Sequence, residues 1–183
     1  MHIEFSSLRE TFNELVSDVE AAKKLDTDFC SEDFIKRTYT RAFFAMIEGV
    51  ISQLKKMALA ANEQTECLQW FEVDLLKERS ACLASNGVAK ETKVKLQLMP
   101  NIVFSLNYSA KALDLDYTVK KGEVGYKSML DAVKIRDRIT HPKGKSCLSV
   151  SNEEMTILGN ANVWFRDEVG KLMNLIHEKH DVV

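Results

Sequence analysis

Proline and glycine are scarce in this chain, with two prolines (Pro100 and Pro142) and seven glycines among 183 residues. A many-turned β-sandwich or barrel draws heavily on both residues, so their scarcity excludes that class and favours a few long helices. The four cysteines (Cys30, Cys67, Cys82, Cys147) stand far apart and form no CxxC pair, which removes the common thiol-metal and redox motifs. They are expected to be reduced thiols serving as small core residues. No apolar run approaches the roughly 18 residues that span a bilayer. The opening Met1-His2-Ile3-Glu4 lacks the basic start of a secretory signal. A cytoplasmic protein with no membrane segment is therefore expected. Phosphate loops, nucleophile elbows and dinucleotide fingerprints are also missing, and no cofactor is implied.

What is present is a helical pattern in a chain that is 45% hydrophobic and 28% charged, enough apolar surface for a sizeable core. Phe5, Leu8, Phe12, Leu15, Val16 and Val19 recur at steps of three and four, predicting a helix over residues 3–25. Ser31 or Asp33 can cap the next helix, predicted over 32–62. Its apolar residues, from Phe34 through Leu59, cover more than one face and place it near the middle of a bundle. Gly49 within it costs about 1 kcal/mol against alanine, which a close helix approach would offset.

A third helix is expected over 66–83, stopped by Ser85-Asn86-Gly87, and a fourth over 90–115, kinked or broken at Pro100. Residues 116–125 read as a loop. A fifth helix is expected over 126–139 and a last one from Asn152 to about His180, opened by the capping box Ser151-Asn152-Glu153-Glu154. The expectation is one all-α domain over 1–183, a bundle of five to seven helices with little or no strand. Trp70-Phe71 and Trp164-Phe165 have the look of core pairs. His177 and His180, at i, i+3, lack a third convincing ligand, so no metal site is expected.

Charge is distributed unevenly. The formal net charge is −2, yet residues 111–145 hold nine basic and five acidic side chains, a surplus of four positive charges on an otherwise acidic chain. Such a patch is compatible with a phosphate-bearing ligand.

Within that patch lies the most informative segment, Leu130-Asp131-Ala132-Val133-Lys134-Ile135-Arg136-Asp137-Arg138-Ile139-Thr140-His141-Pro142. Leu130, Val133 and Ile135 are expected to anchor a helix that Pro142 ends near Thr140 or His141. His141 then sits at a helix C-terminus, where the macrodipole favours a cation. Histidine can move a proton on and off a hydroxyl, and arginine holds a phosphate bidentately. Together they suffice for metal-free cleavage of RNA through its own 2′-hydroxyl, with Asp137 orienting the imidazole or the arginine. On an ideal helix Arg136 and His141 are about 140° apart, so distortion at the proline or a second copy of the chain must bring them to one ligand. Arg138 and the loop residues Lys143 and Lys145 are candidate substrate contacts.

This Arg-x4-His pattern, followed by proline and closing a late helix, resembles the signature of HEPN domains, small all-helical domains widespread in prokaryotic defence and toxin–antitoxin systems. The helix segment Arg41-Ala42-Phe43-Phe44-Ala45-Met46-Ile47-Glu48-Gly49 is similar to the family's central helix, and the resemblance extends over about residues 31–177. It implies a homodimer in which two motifs build one composite, metal-independent endoribonuclease cleft. Arg136 would hold the scissile phosphate, and His141 would act as general acid or base. Asp137 stands where the family often has asparagine. Lys143 occupies the position, two residues after the histidine, where one toxin subgroup carries a tyrosine that receives a nucleotide. The same family includes domains without nuclease activity. The alternative is therefore a non-catalytic HEPN-like dimer that binds RNA, nucleotide or a regulatory partner protein.

Overall fold

The computed structural model describes residues 2–180, with side chains over 4–179. Among the described residues it has six α-helices: α1 (His2–Lys23), α2 (Glu32–Thr65), α3 (Trp70–Leu76), α4 (Leu98–Ala112), α5 (Val124–Thr140) and α6 (Asn152–His180). One antiparallel hairpin, β1 (Arg79–Leu83) and β2 (Ala89–Lys93), lies between α3 and α4. The mainly helical architecture agrees with the periodicity of the sequence. None of these helices is long and apolar enough to cross a membrane.

α2 is the axis of the fold, as its two-faced apolar pattern requires. Phe43, Met46, Ile47, Leu54 and Met57 are fully buried, and α1, α3, α4, α5 and α6 all pack on it. Ser31 starts it by accepting a hydrogen bond from the Phe34 N–H at 3.3 Å. A Cβ on Gly49 would lie 2.5 Å from Leu15 Cδ1 of α1, so the tip of that leucine occupies the space the glycine leaves. α6 begins with the expected capping box: Ser151 Oγ accepts from the Glu154 N–H at 3.2 Å, and Glu154 Oε2 accepts from the Ser151 N–H at 3.0 Å.

Several expectations fail here for identifiable reasons. The third helix is only seven residues long, and the chain from Arg79 to Lys93 is a hairpin. Its loop Ser85-Asn86-Gly87, with Gly87 at φ +79°, turns the chain back, and the Ala84 N–H donates to the Val88 carbonyl. Asn-Gly is a hairpin signal as well as a helix stop, and the tertiary fold resolved that ambiguity. Pro100 does not break α4, because it lies in the first turn, where backbone N–H groups have no intrahelical partner.

Trp164 and Phe165 are buried as expected, whereas Trp70 is 76% exposed and Phe71 is also exposed. The free cysteines are not core residues: Cys67 is exposed and the other three are half-buried. No cluster of three metal-ligating side chains occurs among the described residues. The His180 side chain, half of the histidine pair singled out above, lies outside the described ones.

Candidate functional site

α5 carries the Arg136–His141 motif, and the way it seats against the bundle decides where those side chains point. Its buried stripe is Met129, Ala132, Ile135 and Ile139, spaced by three and four residues, and it packs chiefly on α6. Of the expected anchors only Ile135 is buried. Leu130 is exposed, and Val133 lines an open groove. Arg136 follows Val133 by three residues and therefore lies on the same side of the helix. At the N-terminal end, Gly125 lets α5 meet α6 closely, since a Cβ there would lie 2.4 Å from Trp164 Cβ.

The helix ends where the sequence demands. Thr140 is its last residue, and His141 leaves the α region (φ −121°, ψ 61°) ahead of Pro142 while its N–H still donates to the Asp137 carbonyl at 3.0 Å. Arg136 and His141 both line one groove. His141 is exposed and free to meet a ligand.

Arg136 is 27% exposed and held from two sides. Its Nη2 donates to Glu48 Oε1 of α2 at 2.6 Å, and its Nη1 donates to Asp137 Oδ1 at 2.9 Å. Those two bonds fix the guanidinium plane and leave Nε–H and one N–H on each Nη for a ligand. Glu48 is 88 positions away in sequence, and no local pattern announces it.

Arg138 has a different task. Nη1 donates to the carbonyls of Cys147 (2.9 Å) and Ser149 (2.7 Å), and Nη2 donates to both carboxylate oxygens of Glu154 (2.7 and 2.8 Å). Four of its five N–H groups are thereby engaged, leaving only Nε–H for a substrate. Glu154 is the same residue that closes the capping box of α6. One carboxylate thus ties the end of α5, the intervening 3-10 turn (Lys145–Leu148) and the start of α6 together. Of the two loop lysines, Lys143 lines the groove, and Lys145 is exposed outside it.

The groove is large, about 1180 Å³, and is bounded by α2, the base of the hairpin, the start of α4 and the end of α5. Seven of its lining residues are cationic and three are anionic. Lys55, buried on α2, donates to Glu78 Oε1 at 2.7 Å and so pins the hairpin base against the central helix. Lys56, Lys77 and Lys95 complete the cationic lining and lie outside the basic patch visible in the sequence. Their signal was hidden because they come from three separated segments, each of ordinary composition.

No protein-family model, curated protein or solved structure matches this chain.

Proposed function

We propose that this protein is a single-domain, HEPN-like, metal-independent endoribonuclease that works as a homodimer in defence or as a toxin. The observation that carries the reading is the convergence of an oriented arginine and an exposed histidine on one net-cationic groove. RNA supplies its own nucleophile, so the protein needs only to position a phosphate, stabilise charge on it and move two protons. In this reading His141 takes the proton of a 2′-hydroxyl, and the 2′-oxygen attacks the adjacent phosphorus. The bond to the 5′-oxygen breaks, and the His141 of a second copy gives that oxygen a proton. The products are a 2′,3′-cyclic phosphate and a 5′-hydroxyl. Arg136 offers its remaining N–H groups to the non-bridging oxygens, where charge builds in the transition state. Asp137 and Glu48 act by orienting Arg136.

The exposed stripe of α2, comprising Phe34, Arg41, Ala45, Glu48 and Ser52, is joined to α5 through the Glu48–Arg136 pair and is where the second copy would dock. Purified protein incubated with total RNA in EDTA tests the proposal. Wild type is expected to leave cyclic phosphate ends, and His141→Ala and Arg136→Ala are each expected to abolish cleavage without loss of helicity or dimerisation. Cleavage that survives both substitutions refutes the mechanism.

A binding-only reading is favoured by one specific feature. Two carboxylates beside Arg136 outweigh its single charge, as in a structural ion-pair cluster. RNA binding without cleavage by folded, dimeric wild type would select this alternative, a dimer serving RNA, nucleotide or a regulatory partner.

A further inference from the structure

Exposed lysines without an acidic partner occur over much of this surface, so what matters is where they gather. On the groove Arg136 is paired with Glu48 and Asp137, Arg138 with Glu154, and Lys55 with Glu78, whereas Lys143, just past the motif, is exposed and without an ion pair among the described residues. Three further groove lysines, away from the motif, share that state. Lys56 on α2, Lys77 capping the end of α3, and Lys95 between β2 and α4 are all exposed. None has a side-chain hydrogen bond or ion pair among the described residues.

The backbone that presents two of them is fixed. Glu78 adopts a left-handed conformation (φ 53°), and its carbonyl accepts from the Val94 N–H at 2.9 Å. The same residue's carboxylate is bound by Lys55. Lys77 and Lys95 therefore flank a hairpin base clamped to α2. Below these cations lies an apolar floor that includes Ile51, Leu76 and Met99, all buried.

We propose that Lys56, Lys77 and Lys95 form a phosphate track for single-stranded RNA leading to the Arg136–His141 site; the assignment of RNA rests on the function proposed above. At about 1180 Å³ the groove exceeds the roughly 300–1,000 Å³ typical of small-ligand pockets, and so suits a segment of polymer. Cations on the rim with an apolar floor between them match a strand whose phosphates face the rim and whose unpaired bases lie inward. A duplex would keep its bases from that floor. Two of the three lysines flank the hairpin, which gives that element a role in holding the track in place.

Binding of a short fluorescent oligouridylate to the otherwise unaltered His141→Ala protein, titrated with salt, tests this without cutting the probe. Each phosphate contact on a single strand contributes about 0.7 to the slope of log affinity against log salt, so replacing the three lysines by alanine should lower it by about 2, or about a hundredfold in affinity at 0.1 M salt. Arginine at the same three positions should restore both, which separates loss of charge from misfolding. A control lacking Lys24, Lys90 and Lys121, exposed lysines outside the groove, should keep the original slope.

An unchanged slope in the groove variant, or an equal loss in the control, overturns the track. Equally tight binding of polyglutamate overturns it in favour of an acidic protein partner. Wild type that cleaves RNA while the lysine variant binds normally refutes the track and leaves the nuclease standing. Lysine-dependent binding with no cleavage by wild type does the reverse.

Discussion

The Arg138–Glu154 pair offers the sharpest test of how the motif helix is held, because one carboxylate does two separable jobs. It accepts two hydrogen bonds from Arg138, and it accepts the Ser151 N–H to complete the α6 cap. Glu154→Gln keeps the cap, since glutamine serves at that capping-box position, but removes the charge and one of the two acceptors facing Arg138. Glu154→Ala removes everything.

The side chains are 30% and 29% exposed, so the pair lies between a surface bridge, worth about 0–1 kcal/mol, and a buried pair whose breaking costs about 3–5 kcal/mol. Placing it between these limits, we expect Glu154→Gln to cost about 1–2 kcal/mol, and the lost cap in Glu154→Ala to add about 1 kcal/mol. In a chain of this length each kcal/mol lowers Tm by about 2–4 °C. Urea unfolding should show the midpoint falling in the order wild type, Gln, Ala, with m unchanged. Equal midpoints for the two variants would refute a working cap. Losses below about 0.5 kcal/mol in both, the range of ordinary surface changes, would refute the clamp.

Other consequences follow from single contacts. Gly125→Ala forces a Cβ into Trp164 and should destabilise by about 1–3 kcal/mol, measured by thermal melting; unchanged Tm would mean that α5 and α6 can separate freely. Glu48→Gln keeps the shape but loosens the hold on Arg136, and if the ribonuclease proposal holds it should reduce turnover on the order of 10–100-fold, with RNA affinity little changed. Undiminished turnover would leave Glu48 without a positioning role.

Acid stability is tied to Glu72. Burial works to raise its pKa, but hydrogen bonds from Lys111 and the Gln69 N–H outweigh it and hold the carboxyl below its ordinary value of 4.5. The unfolded chain then binds this proton more readily than the folded one. The stabilisation is complete above that ordinary value and is lost as pH falls through the depressed folded value. Wild type should therefore lose stability more steeply than Glu72→Gln on acidification below about pH 4.5, as followed by urea midpoints; parallel curves would contradict the linkage.

The sequence by itself determined the features that repeat within a few residues. Three- and four-residue apolar steps located α1 and α2, because a helix side buries residues that are neighbours along the chain. Pro142 set the end of α5, and Ser151 with Glu154 set the start of α6, since both act through local backbone geometry. Gly49 was legible as a close contact, though not that Leu15 of α1 would make it.

Only the tertiary structure decided the partners. Glu48 meets Arg136 across 88 positions, Lys55 pins Glu78, and three scattered lysines gather on one groove. The hairpin escaped for a related reason: β2 (Ala89–Lys93) is exposed along its whole length and shows no apolar alternation, so its pairing with β1 left only Asn86-Gly87 as a trace. Trp70 and Phe71 escaped because aromatic residues reveal which side a helix buries only when its neighbours are known. Periodicity records how a segment meets the core, whereas ion pairs and grooves arise between segments that carry no mutual signal in one sequence.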